Sequence, residues 1–267
     1  FNIASIYNSV EELWQGTNAE ILVIAISELA VKTISKKAFR FPWLCLIEKP
    51  VGYNLADAES ILREATRLKA SAYVALNRRH YSSTRSVSTE LEKIDAHRLV
   101  HVFDQENPKV ALQAGKPDLI VCHWMYANSI HLIDYFNIFC RGKLLDVQNI
   151  VEWNSKDPRF VVSKLTYSSG DIGFYQAIWD GPGPWAVTVT TQAKRFELRP
   201  LEQGTVQVYK SRIAETLPIH PWDTELKPGL RLQAEEAMKA VQMLPHQLPS
   251  LQEGFTTMQL ISQIYQD

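Results

Sequence analysis

Lys49 is the residue best placed by its neighbours to do chemistry. It stands in Leu46-Ile47-Glu48-Lys49-Pro50, where an apolar run ends on an acid, a base and a proline. A lysine at the end of a strand can donate to a substrate hydroxyl or relay its proton, more so if burial lowers its pKa. The plain alternative is a surface lysine paired with Glu48. A second group is Asn77-Arg78-Arg79-His80-Tyr81-Ser82-Ser83. Its two guanidiniums, Arg78 and Arg79, can clamp a carboxylate or phosphate, and Tyr81 can flank a ring. The same residues also suit a solvated turn with helix-capping serines. The third is His131, whose ordinary pKa near neutrality suits a general acid or base. A histidine packed between domains has the same pattern. No HExxH and no other metal-ligand spacing occurs, so no metal is expected.

These groups need elements to hold them. Residues 43–47 are apolar on both faces, as in a parallel strand covered by helices. Gly52 then breaks the chain, and Asn54 opens a helix with Leu55, Ala58, Ile61, Leu62, Ala65 and Leu68 at helical spacing. Residues 20–26 read as another buried parallel strand, and 72–76 as a third. This β-α-β-α-β order is half of a doubly wound sheet, with Lys49 at the carboxyl end of a strand, where such sheets place their ligands. Ser9 with Glu12, and Ser250 with Glu253, have the form of capping boxes.

From residue 97 the pattern changes to alternation. Residues 97–104 read as a strand of a mixed or antiparallel sheet and 108–117 as a loop. Residues 124–140 read as one helix, with Ile130, Ile133, Phe136 and Ile138 on its apolar face. Asn128, His131 and Asp134 or Tyr135 lie on another face. Residues 160–167 and 172–179 flank the turn Ser168-Ser169-Gly170-Asp171 and should pair as a hairpin. Residues 185–191 and 195–198 should pair likewise. Trp153, Trp179 and Trp185 are expected along an outer sheet face, as the surface of a homodimer or homotetramer.

With 267 residues, 46% hydrophobic and 21% charged, the chain is an ordinary globular one, long enough for two domains. Its net charge of -1 gives no basic excess for a phosphate backbone, so no nucleic-acid partner is expected. No apolar run reaches the ~20 residues of a membrane span. Three scattered cysteines without a CxxC fit reduced thiols and a cytoplasmic location.

Together these pieces resemble the glucose-fructose oxidoreductase / inositol dehydrogenase family. The resemblance rests on Glu48-Lys49-Pro50 and on Ser129-Ile130-His131-Leu132-Ile133-Asp134, which looks like the family's G-x-H-x-x-D helix. It rests too on the order of parts, through Lys227-Pro228-Gly229 to the closing helices, and covers essentially the whole chain. The implied fold is α/β plus α+β: a partial Rossmann doubly wound parallel sheet in residues 1–95. An open, mainly antiparallel sheet with helices on one face follows in 96–267, for substrate binding and oligomerisation.

The implied activity is hydride transfer between NAD or NADP and a hydroxyl-bearing carbon of a sugar, sugar nucleotide or cyclic polyol. Lys49 and His131 would be catalytic. Ala25, Ile26, Ser27, Glu48, Lys49 and Pro50 would border the cofactor. Arg78, Arg79, Tyr81, Trp124, Tyr126, Asn128 and His131 would line the substrate pocket. Two departures stand out. Ala127 occupies the place of the aspartate that usually precedes the histidine, leaving Asn128 or Asp134 to substitute. No GxGxxG occurs; the nearest pattern is Gly181-x-Gly183 in a proline-rich loop. Since the chain also opens on Phe1 rather than Met, a preceding segment of roughly 60–90 residues is expected to carry that turn. The alternatives are a non-catalytic sugar-binding or regulatory relative and a redox-neutral enzyme with a recycling nicotinamide.

Overall fold

The computed structural model describes residues 3–267. Its contacts divide the chain into two compact units. One holds the residues up to Ala75 together with Ala234–Thr256; the other holds Leu76–Gln233 and Thr257–Asp267.

The first unit begins with α1 (Val10–Gly16), β1 (Ile21–Ile24), α2 (Val31–Ala38), β2 (Leu44–Glu48), α3 (Leu55–Leu68) and β3 (Ser71–Ala75). The strands form a parallel sheet in the order β1-β2-β3. Ser9 caps α1 as expected, its Oγ accepting the Glu12 N–H at 3.0 Å, while the Glu12 carboxylate accepts the N–H of Asn8, one residue before the cap, at 3.0 Å. Asn54 opens α3 by accepting the Asp57 N–H at 2.9 Å. Alternation along β2 sends Leu44 and Leu46 to a cluster with Ala75, Ala237 and Leu248, while Cys45 and Ile47 are buried on the opposite face. The free side of β3 is covered: Val74 N–H donates to Pro249 O at 2.9 Å. β1 differs from the buried strand its sequence suggests. It lies at the sheet edge, and Val23 is 58% exposed.

The second unit contains α4 (Ser82–Glu92), β4 (Leu99–Glu106), α5 (Pro108–Gln113), α6 (Asp118–Cys122) and α7 (Ile130–Phe139). The strands β5 (Leu144–Val151), β6 (Phe160–Tyr167), β7 (Ile172–Trp179), β8 (Ala186–Thr190), β9 (Lys194–Leu198), β10 (Gly204–Val208) and β11 (Ala214–Thr216) follow, then α8 (Pro221–Glu225). The chain closes with α9 (Leu230–Val241) and α10 (Leu251–Tyr265). Ser250 and Glu253 cap α10 reciprocally, at 2.8 and 3.2 Å.

Among the described residues β4 to β11 form one sheet in the order β11-β10-β9-β8-β4-β7-β6-β5. It is antiparallel except at β4 and β7, which run parallel. The expected hairpin of β6 and β7 is present in register. α4 and α7 cover one face, α7 over β4 and β8, and α4 over β9 and β10.

Several expectations for this unit are corrected. Residues 108–113 are helical, not a loop, because Pro108 takes the first helical position, where its missing N–H costs nothing. The helix expected over 124–140 is interrupted by a π turn, Met125–Ser129, before α7. α7 is buried on nearly every side, so it has no separate polar face. The tryptophans do not line the outer sheet face. Trp153 and Trp179 lie 4.2 Å apart with their rings tilted and both meet Tyr265, and Trp185 donates to Gln105 O at 2.9 Å. No helix among the described residues is long and apolar enough to cross a membrane.

Candidate functional site

In the first unit, Lys49 is the first residue beyond β2, the central strand, and the peptide joining it to Pro50 is cis. Glu48 and Lys49 are half-buried and Pro50 is buried. The turn after them needs Gly52, at φ +84°, where a Cβ would come within 2.7 Å of Asp57 Cβ. Asp57 is fixed in turn by Lys32, whose ammonium pairs with its carboxylate. Ala25, Ile26 and Ser27 follow β1 and are exposed. All six residues named from the sequence for this half therefore lie at the carboxyl ends of adjacent parallel strands.

In the second unit, a 3-10 turn, Asn77–His80, leads into α4 and carries the arginine pair. The structure splits the pair. Arg79 is committed to Asp134 in a two-pronged ion pair at 2.7 and 2.8 Å, and Asp134 also accepts from Thr257 Oγ1 at 2.9 Å. Arg78 instead lies over the Trp185 ring at 4.7 Å and near Tyr81 at 6.0 Å. His131 approaches the same tryptophan, with ring centroids 6.2 Å apart. Trp185 thus gathers Arg78 and His131, a role its strand-like surroundings do not advertise.

The turn that carries Arg78 is stapled from a distance. Asp223 accepts the Ser82 N–H at 2.6 Å and the Gly229 N–H at 2.8 Å. Gly229 has φ +75°, and a Cβ there would meet Asn77 O at 2.3 Å. Only glycine lets the Lys227-Pro228-Gly229 segment approach so closely.

Behind Trp124 and Asn128 lies a group the sequence reading missed. Glu106 is fully buried and accepts from Trp124 Nε1 at 2.6 Å, Asn128 Nδ2 at 2.8 Å and Ser129 Oγ at 3.1 Å. The π turn brings those three donors to one carboxyl group, a use such turns often serve. Asp104, two residues earlier on the same face of β4, accepts from Tyr175 Oη at 2.6 Å, and Tyr175 and Tyr265 hydroxyls meet at 2.7 Å. The two carboxyl groups influence each other's ionisation. Burial, reinforced by the Asp104 charge, pushes Glu106 well above the usual carboxylate range.

Trp124, Asn128 and Trp185 line a cavity of about 420 Å³ with Gln105 and Asn107. Tyr126 is buried away from solvent, and burial raises its hydroxyl pKa. Asn128 is held by Glu106 and Asp134 by Arg79, so the carboxamide and carboxylate nearest His131 in sequence are both engaged elsewhere.

The residues of the first unit fit part of a nicotinamide dinucleotide. They offer a cation at Lys49, a carboxylate at Glu48 and open main chain at 25–27, on the strand ends where such ligands bind. The pyrophosphate would need the glycine-rich turn, and none of the eleven glycines forms one.

Compared by sequence, the chain matches no family model and no curated protein. Compared by structure, it is similar to several dehydrogenases. UDP-N-acetylglucosamine 3-dehydrogenase GnnA from Acidithiobacillus ferrooxidans superposes with a TM-score of 0.78 at 14% identity, over 97% of this chain and 81% of that one. Aldose-aldose oxidoreductase from Caulobacter crescentus gives 0.80 at 12%, over 97% and 80%. The WlbA dehydrogenase from Chromobacterium violaceum, in complex with NADH and UDP-GlcNAcA, gives 0.71 at 15%, over 97% and 78%. The fold implied by the resemblance to the glucose-fructose oxidoreductase / inositol dehydrogenase family is the fold found.

Proposed function

We propose that this protein is an NAD(P)-dependent oxidoreductase acting on a hydroxyl-bearing carbon of a sugar, sugar nucleotide or cyclic polyol. The observation that carries the reading is the position of Lys49, half-buried at the carboxyl end of the central parallel strand, in a fold shared with a UDP-N-acetylglucosamine 3-dehydrogenase and an aldose-aldose oxidoreductase. A bound nicotinamide supplies the hydride acceptor or donor. Ala25, Ile26, Ser27, Glu48 and Pro50 would hold it together with Lys49.

Oxidation of an alcohol also releases the hydroxyl proton. Lys49 takes it as the amine, and returns it as the ammonium in the reverse direction. His131 is the second acid/base group. Arg78, Trp124, Asn128 and Trp185 contact the substrate, with Tyr81 packed behind Arg78; a guanidinium over an indole suits a ring that carries hydroxyls or a phosphate. Arg79 acts by anchoring α7 through Asp134 rather than by touching substrate.

The test uses a panel of sugars and sugar nucleotides that includes UDP-N-acetylglucosamine, followed by nicotinamide absorbance. Lys49→Ala should lower turnover by about 10²–10⁴-fold with the circular dichroism spectrum unchanged. Turnover near wild type in that variant would sink the proposal.

The outer face of the large sheet, with Leu99 42% and Phe160 53% exposed, supports a homodimer or homotetramer formed through it. The mass measured in solution at micromolar concentration should be at least twice that of the single chain, and a monomer would contradict it. The free thiols Cys45, Cys122 and Cys140 suit a reducing compartment such as the cytoplasm.

A further inference from the structure

The second unit contains another cavity, of about 710 Å³, within the range of small-molecule sites. It shares no lining residue with the one beside Trp185. One wall is a single face of α4, with Ser82, Arg85, Ser86 and Thr89 at i, i+3, i+4 and i+7. The lining also includes the apolar side chains of Leu217, Ile219 and Trp222. Trp222 is held by the Arg231 guanidinium over its ring at 5.2 Å and by His220 edge-on at 4.7 Å.

The polar wall has spare donors. Arg85 Nη1 and Ser82 Oγ are both buried and have no hydrogen-bond partner among the described residues. Both acids in the lining are already satisfied. Glu90 accepts from Lys93 at 2.6 Å and Lys194 at 2.7 Å, and Asp223 is taken by two backbone N–H groups. The cation in the lining without a partner at Nη1 is therefore Arg85. A buried donor left unmade carries a desolvation penalty, which a ligand acceptor would recover.

We propose that this cavity binds a small organic carboxylate with an aromatic or alicyclic body, its carboxylate held by Arg85 and Ser82 and its ring against Trp222. A single guanidinium beside a hydroxyl matches one planar monoanion. A phosphate dianion would leave a second negative charge facing Asp223 and Glu90. The site needs no nicotinamide and does not depend on the redox reading.

The experiment is calorimetry with 2-naphthoate and its uncharged counterpart 2-naphthamide. Wild type should bind the naphthoate at least ten-fold more tightly than the amide. Arg85→Gln should weaken naphthoate at least ten-fold and erase the preference, while Arg85→Lys keeps part of it. Thr89→Trp, a bulky change at an exposed position on the cavity wall, should block both probes, and decides the matter if Arg85→Gln fails to fold. Lys49→Ala should leave binding unchanged. The proposal is overturned if naphthoate does not bind at millimolar concentration, if the two probes bind equally, or if affinity survives Arg85→Gln. Loss of binding in Lys49→Ala would equally overturn it, by moving the probe to the redox site.

Discussion

The two ends of β4 treat buried carboxyl groups in opposite ways. Beside its start, Asp171 is fully buried and surrounded by donors: Arg98 N–H and Arg141 N–H, each at 2.9 Å, and the Arg141 guanidinium at 2.9 and 3.0 Å. Burial pushes this carboxyl up, but the Arg141 hydrogen bonds and the backbone N–H groups outweigh it and hold the pKa at about 2. At the other end, Asp104 and Glu106 have no cation beside them among the described residues, only hydroxyls and neutral N–H donors. There burial wins, and Glu106 keeps its proton far above the usual range. The first arrangement fixes the β6–β7 turn to the start of β4. The second stiffens the wall of the candidate substrate cavity without placing a full charge on each carboxyl. One fold thus uses the same chemical group as an anchor and as a neutral scaffold, and only the supply of cations differs.

The sharpest way to break the contrast is Asp171→Asn. It removes the counter-charge of Arg141 and should cost about 3–5 kcal/mol in denaturant unfolding at pH 7. A loss below 1 kcal/mol would mean that Asp171 is no anchor.

Acid titration is expected to give a smaller effect with a definite sign. The folded pKa of Asp171 is depressed from 3.8 to about 2, so its contribution is complete above the unfolded value and lost as pH falls toward 2. That contribution is about 2 kcal/mol. Glu106 runs the other way. Its folded pKa is raised above 4.5, so the native state binds the extra proton, and stability falls as pH rises from the unfolded value toward the folded one. Unfolding free energy measured from pH 2 to 9 should show both arms.

The smallest expected change is Glu106→Gln. It imitates the protonated acid and should shift stability by less than about 1 kcal/mol at pH 7, while flattening the alkaline arm. A large destabilisation would show Glu106 to be needed as an anion.

The sequence makes some of this plain and hides the rest. Glu48-Lys49-Pro50, the cap at Ser9 and the turn at 168–171 are local signals, and the structure places each where short-range rules put it. The acids of β4 left a signal too. Val100, Val102, Asp104 and Glu106 share one phase of the alternation, so a buried Val100 implies buried carboxyls. Asn107-Pro108 likewise marks the start of α5. By contrast, Arg141 with Asp171 and Arg79 with Asp134 are pairs 30 and 55 residues apart, set by tertiary packing that no local pattern encodes. β5 was invisible for another reason. Most of its residues are exposed, so no hydrophobic period marks it.

The hydrogen bond from Val74 to Pro249 has a consequence for biosynthesis. The strand that donates is made early, and the segment that covers it comes late. At about 5–20 residues per second, the ribosome reaches residue 249 roughly 10–35 s after residue 74. Through that interval the nascent chain carries an uncovered parallel strand, the kind of edge that recruits unwanted partners. Ala237 and Leu248, which complete the cluster on Leu44 and Leu46, arrive just as late. The unit that holds the parallel strands is thus completed only after most of the other unit has been made.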